Sequence, residues 1–194
     1  MGNQSDYSVE RLADRMQIQD CVYRWCRGVD RLDFESIRSA FHDDAIDRHG
    51  VYEGGVDGLV EWIRERHRAI PFSMHLVANM LIEFADRDTA IAETYCLAVQ
   101  RYPSEASGAL AGLAARAPVP SSAGVDMLAC ARYVDRFERR QGKWRIAHRM
   151  VVFDSTMLHE ISADPPKAGG SLEVGRRDRK DPIYVERAAF RLEP

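Results

Sequence analysis

The chain reads as an α+β fold, a cone-shaped curved antiparallel sheet wrapped around N-terminal helices. Three observations predict it. Apolar residues recur at helical spacing through the first third of the chain. From residue 75 onward the pattern changes to alternation, with turn residues between long runs. The two regimes are also segregated along the chain, which argues against a parallel sheet with helical crossovers. A sheet curved around helices encloses an apolar interior, a natural small-molecule pocket.

Residues 9–30 form the first predicted helix, with Ile18, Val22, Trp25 and Val29 on one stripe. Ser8 is placed to cap it; Arg11 stands three residues on, so there is no capping box. Gly28 weakens its last turn. Asp33 caps a second short helix over 34–41, carrying Phe34, Ile37 and Phe41. Residues 45–52 read as a short strand ended by Gly54 and Gly55. Asp57 then caps a third helix over 58–69, with Leu59, Trp62, Ile63 and Arg66, which Pro71 prevents from continuing.

The strands follow at 75–84, 89–102, 127–140 and 143–154, the last two forming a hairpin at Gln141-Gly142. Residues 103–124, rich in Ala, Gly, Pro and Ser, are too long for a tight loop and read as a flap or an insertion with a helical turn. The domain therefore spans 1–154, with 155–194 as a C-terminal extension. The charged run at 176–181 favours a solvated tail; a segment packing on a neighbouring subunit is the alternative.

A chain of 194 residues is long enough for one domain with a real core. A net charge of -3, with acids and bases interspersed, argues against a nucleic-acid surface or a basic membrane anchor. Residues 1–10 lack the apolar region of a signal peptide, and no apolar run reaches membrane-spanning length, so a cytoplasmic location is expected. Cys21, Cys26, Cys96 and Cys130 form no C-x-x-C pair and read as free buried thiols.

Two residues carry the chemistry. Asp30 ends the first helix, and His75 sits in the apolar stretch Phe72-Ser73-Met74-His75-Leu76-Val77. A carboxylate and an imidazole in apolar surroundings are costly to bury unless they satisfy each other. Paired, they form an oriented general base; unpaired with substrate, His75 is simply a satisfied core histidine. Asp47 and His49 share one side of a strand, near His42, Asp43 and Asp44, but no third ligand has diagnostic spacing, so no metal is expected. His49 is placed near the pocket or at an interface. Neither a phosphate loop, a dinucleotide fingerprint nor a nucleophile motif is present, and no cofactor is expected. Tyr23, Trp25, Tyr52 and Tyr95 either shape the cavity and donate hydrogen bonds or pack the core.

The pattern Arg11-Leu12-Ala13, Ile18-Gln19-Asp20, Gly28-Val29-Asp30, then Ser73-Met74-His75, then Phe137-Glu138-Arg139-Arg140-Gln141-Gly142-Lys143-Trp144 resembles SnoaL-like proteins of the nuclear-transport-factor-two-like superfamily. The resemblance covers roughly residues 9–153. In dehydrochlorinase-like members an Asp at the end of the first helix pairs with a His at the start of the sheet; Asp30 and His75 match those positions. An Arg shortly after the Trp of the last strand lines the pocket there, and Arg149 matches it. Strand alternation alone does not choose between Arg149 and His148. The departure is Trp25, where those members carry a polar side chain near the leaving group; an indole donates one hydrogen bond but is no general acid. The resemblance implies a cofactor-independent lyase, a dehydratase-like elimination of water, a small aldehyde or a halide from an apolar, ring-bearing small molecule through the Asp30–His75 base. An isomerase or polyketide cyclase on the same base, or a non-catalytic small subunit, is the alternative. An apolar outer sheet face needs covering, so a homodimer or homotrimer is expected.

Overall fold

Ser8 accepts a hydrogen bond from the Arg11 N–H (3.3 Å) and starts the first helix, α1 (Val9–Arg31), as its side chain predicts. The computed structural model describes residues 7–111, 124–161 and 170–192. Leu32, with φ of 53°, ends α1, and Asp33 caps the short α2 (Phe34–Ser39). A Cβ on Gly28 would stand 2.7 Å from the Ile37 side chain, so the glycine lets α2 fold tightly against α1.

The first strand, β1 (Phe41–His49), begins earlier than the residue pattern suggests, and Gly50 (φ 68°) turns the chain into β2 (Tyr52–Gly55). The predicted strand at 45–52 therefore straddles a turn. Helix α3 (Val56–Arg66) starts behind Gly55 without a side-chain cap; Asp57 lies inside its first turn, where a carboxylate suits the helix dipole. Then come β3 (Ser73–Phe84) and β4 (Thr89–Tyr102). A 3-10 turn (Ser104–Ala106) and a short helix, α4 (Ser107–Ala111), open the Ala/Gly/Pro-rich segment, whose residues 112–123 lie outside the described residues. The hairpin of β5 (Val125–Arg140) and β6 (Lys143–Glu160) turns at Gln141 and Gly142, both at positive φ, as a two-residue type I′ connection requires.

The six strands lie in the order β2-β1-β6-β5-β4-β3 in one open, curved sheet. The α+β class holds, with one correction: β1 runs parallel to β6, so the sheet is mixed. Alternation reports which face a residue takes, not the direction of its neighbour. The concave face packs on α1 and α3 through Ile18, Val22, Trp25, Leu59, Ile63 and Phe137.

Two extra residues, Ala147 and Asp154, change the last strand. Phe137 pairs with Ile146 but Arg136 pairs with His148, leaving Ala147 as a β-bulge. Trp144 and Ile146 face inward before it, and Arg149 and Val151 face inward after it. Strict alternation had set Trp144 and Arg149 on opposite faces.

The strand also runs six residues beyond Asp154. The described tail is mostly exposed, its charged run at 176–181 included but for Arg177 and Asp181. It folds back on its own chain, where Asp181 caps α5 (Pro182–Ala189) and the Tyr184 hydroxyl donates to Asp33 (2.9 Å). Cys21, Cys26 and Cys96 are buried free thiols, and Cys130 is partly buried. No helix among the described residues is long and apolar enough to cross a membrane.

Candidate active site

The end of α1 delivers Asp30 to the start of β3. The His75 Nδ1 and Asp30 Oδ1 are 2.6 Å apart, the His75 backbone N–H donates to Asp30 Oδ2 (2.8 Å), and the Ser73 hydroxyl donates to Oδ1 (2.8 Å). Burial by itself raises the Asp30 carboxyl, but the charge and hydrogen bonds of His75 and Ser73 outweigh it and hold the carboxyl below its ordinary value. Burial by itself lowers His75; the Asp30 charge and hydrogen bond win and raise it. With Nδ1 held by the carboxylate, Nε2 is the nitrogen that remains for chemistry.

A line of hydrogen bonds leads away from this pair. Gln100 Nε2 donates to Ser73 Oγ (3.2 Å), Tyr102 donates its hydroxyl proton to Gln100 Oε1 (2.6 Å), and Arg66 donates to both Gln100 and Tyr102. His67, buried at the end of α3, lies between two guanidinium groups: Arg66 Nη1 is 2.7 Å from its Nε2 and Arg177 Nη2 is 2.8 Å from its Nδ1. Burial first, then these two cations, hold His67 well below the ordinary histidine value, so it is neutral. Arg177 also donates to the carbonyls of Val29 (2.8 Å), Asp30 (3.0 Å) and Ile70 (2.6 Å), closing the C-terminal end of α1 with a residue of the tail.

His75 stands in the wall of a cavity of about 540 Å³, counting its open mouth, between α1, α3 and the concave sheet face. Trp25, Trp62, Tyr133, Val151 and Phe153 make most of the wall apolar and aromatic, while Arg66, His67, Gln100 and His75 make one end polar. The Trp25 Nε1 is buried without a hydrogen-bond partner among the described residues. The arrangement sets an oriented imidazole beside aromatic walls.

Residues 10–150 match the profile of the SnoaL-like domain. The chain belongs to the SnoaL-like family. Among curated relatives, the uncharacterized protein Rv2910c of Mycobacterium tuberculosis is 27% identical over 99 residues, which are 48% of this chain and 65% of that protein. The chain thus spans less than two thirds of the length of the curated relatives it matches. Among solved structures, the hexachlorocyclohexane dehydrochlorinase LinA-type3 of Novosphingobium barchaimii superposes with a TM-score of 0.65 at 20% identity, covering 83% of this chain and 99% of that one. A candidate scytalone dehydratase of Novosphingobium aromaticivorans superposes with a TM-score of 0.60 at 17% identity, covering 82% and 97%. These likenesses show the SnoaL-like fold.

The structure brings together Asp30, His75, Trp25 and His49 of the residues singled out in the sequence, and it moves others away. Arg149 faces inward, but it does not line the cavity. It is fully buried behind Trp25 and Tyr133, its guanidinium 4.9 and 4.1 Å from their ring centroids, and it makes two hydrogen bonds to Asp135 (2.8 and 2.7 Å). The expectation that Arg149 meets a leaving group is corrected accordingly: a buried carboxylate already holds it. Tyr95 projects from the convex face beside Arg132, and Tyr23 is exposed on α1 at an outer groove that also reaches Asp30 and His75, so neither shapes the cavity. Tyr52 stacks on Trp62 (5.6 Å) from behind and bonds the Gly55 carbonyl. Asp47 lies 3.4 Å from His49, and no cluster of three potential metal ligands occurs among the described residues.

Sequence reasoning missed Ser73, Gln100, Tyr133, His67 and Arg177. The inward parity of Gln100 and Tyr133 along their strands was a usable signal. Nothing local marks Arg177, which reaches the site from more than a hundred residues away.

Proposed function

We propose that this SnoaL-like protein is a cofactor-independent lyase of the dehydratase type, with His75 as general base and Asp30 as the residue that orients and charges it. The observation that carries the reading is the 2.6 Å Asp30–His75 contact in the wall of a largely apolar cavity. His75 Nε2 takes a proton from a substrate carbon. The C–H electron pair becomes the new C=C bond, and the leaving group departs from the adjacent carbon with its bonding pair. The negative charge of Asp30 stabilises the imidazolium formed in that step. The imidazolium then returns its proton to the departing hydroxyl, releasing water and restoring the base. Trp25 Nε1, buried without a hydrogen-bond partner among the described residues, is a donor in the wall that suits a substrate oxygen. Apolar walls keep bulk water from competing for the base.

The test is turnover of cyclic β-hydroxy carbonyl compounds, followed by mass spectrometry. A product lighter than its substrate by one water identifies a lyase, whereas a product of unchanged mass identifies an isomerase or cyclase on the same base. His75→Ala should lower the rate by about 10²–10⁴-fold, the usual contribution of a positioned base, with the far-UV spectrum unchanged. A folded His75→Ala protein with wild-type turnover would refute the mechanism.

A further inference from the structure

We propose that the polar end of the cavity is an anion subsite, and that the natural ligand is a ring-bearing carboxylic acid whose carboxylate is received by Arg66. The inference rests on the reading of this cavity as the substrate site, and it names the chemical class that the site selects.

The argument is a count of donors and acceptors. Arg66 carries five N–H donors. Its Nη groups meet Gln100, Tyr102 and His67, while its Nε is buried without a partner. His67 is neutral, so it offers one acceptor nitrogen and one N–H, yet both its nitrogens face arginine donors. One of those two contacts therefore sets donor against donor. The Tyr102 proton already goes to Gln100. This end of the cavity is thus short of acceptors, and a carboxylate consists of nothing else.

The charges agree. Among the described residues neither Arg66 nor Arg177 has a carboxylate within ion-pair distance. Arg149, equally deep behind Trp25 and Tyr133, has Asp135. Asp30, whose charge Arg177 feels, is already engaged by His75, Ser73 and a backbone N–H. Two cations with one shared anion leave surplus positive charge in a poorly solvated place, which an anionic ligand would neutralise. Arg66 and His75 both line the cavity, so a molecule anchored at Arg66 extends along the Trp25 and Trp62 rings with a carbon beside the base.

Binding, not turnover, tests this. The probes are 2-naphthoate and its uncharged methyl ester, followed by quenching of Trp25 and Trp62 fluorescence and by calorimetry. The wild-type protein should bind the acid about tenfold or more tighter than the ester, the scale expected for a charge-assisted hydrogen-bonded pair. Arg66→Gln should abolish that preference by weakening the acid alone, and Arg66→Lys should restore part of it. Equal binding of acid and ester by the wild-type protein would overturn the proposal. So would an unchanged preference in a folded Arg66→Gln protein. Should Arg66→Gln fail to fold, the wild-type comparison and Arg66→Lys decide. His75→Ala separates the two readings: a preference for the acid that survives in this variant supports the anion subsite whatever happens to turnover, and loss of turnover with no preference sinks the subsite alone.

Discussion

Asp30 grips His75 twice, its Oδ1 against the ring nitrogen at 2.6 Å and its Oδ2 against the backbone N–H of the same residue at 2.8 Å. The double contact fixes both the ring's position and its tautomer. It also sets a pH dependence whose sign is determined. Since the carboxylate raises His75 above the ordinary 6.5, the base is lost to protonation as pH falls through a value above 6.5. The acid limb of kcat/KM should therefore lie above that of a free imidazole. Asp30→Asn should move the limb to lower pH, because burial then dominates, while lowering the plateau. A limb that does not move in Asp30→Asn would show that another group titrates.

The same pair contributes to folding in a defined window. A raised His75 stabilises the fold fully below its unfolded value of 6.5, and that contribution is lost as pH rises through the folded value. A depressed Asp30 stabilises it above the unfolded value of 3.8, and that contribution is lost as pH falls through the folded value. The deficit in urea midpoint of His75→Ala should be larger at a pH of about 5.5 than at about 8.5.

Arg149 and Asp135 predict a stability effect, not a catalytic one. Both are fully buried and joined by two hydrogen bonds. Arg149→Met leaves a buried carboxylate without its cation and should cost about 3–5 kcal/mol. Changing Asp135 to Leu in the same protein should recover a good part of that loss, which chemical denaturation of the single and double variants measures. Additive losses would count against the pairing.

Arg177 should behave as a clasp. It donates to three carbonyls at the end of α1 and beyond α3, so Arg177→Ala should lower stability by about 1.5–3 kcal/mol, the scale for hydrogen bonds to a charged group. Amide exchange should rise in the last turn of α1 more than at its start. Uniform exchange along the helix would contradict the assignment.

The convex sheet face predicts association. Leu76, Leu81, Ile91 and Leu97 are each at least 40% exposed there, a patch that a second copy would cover. Sedimentation should show a dimer or trimer, and Leu97→Lys should weaken it. A monomer at all concentrations would overturn the expectation.

How much of this was legible depends on what each residue reports. Ser8 and the stripe Ile18–Val22–Trp25–Val29 mark α1 because capping and 3.6-residue periodicity are local properties. The strand Thr89–Tyr102 was bounded by a turn cluster and by Pro103, both readable. Asp30 and His75 were legible as a pair because each is costly to bury alone and because both fall at the matching positions of the SnoaL-like pattern. Arg149 shows where the reading stopped. The bulge at Ala147 has no composition of its own, so alternation assigned Trp144 and Arg149 to different faces, and nothing in the sequence revealed that Asp135 would claim the guanidinium. The parallel pairing of β1 with β6 and the docking of Arg177 were hidden for a related reason: both are decided by residues far away in the chain.

One helix carries two anchors. Near its start, Asp14 accepts from the Trp144 indole (2.7 Å) and from Arg139, fastening α1 to the β5–β6 hairpin; near its end, Asp30 fastens it to β3. The sixteen residue steps from Asp14 to Asp30 make about 24 Å of rod at 1.5 Å each. A single residue added or removed between them would swing one anchor about 100° around the axis relative to the other. The helix is therefore a gauge of fixed length as well as a layer of the core, and evolution is free to repaint its exposed side far more readily than to resize it.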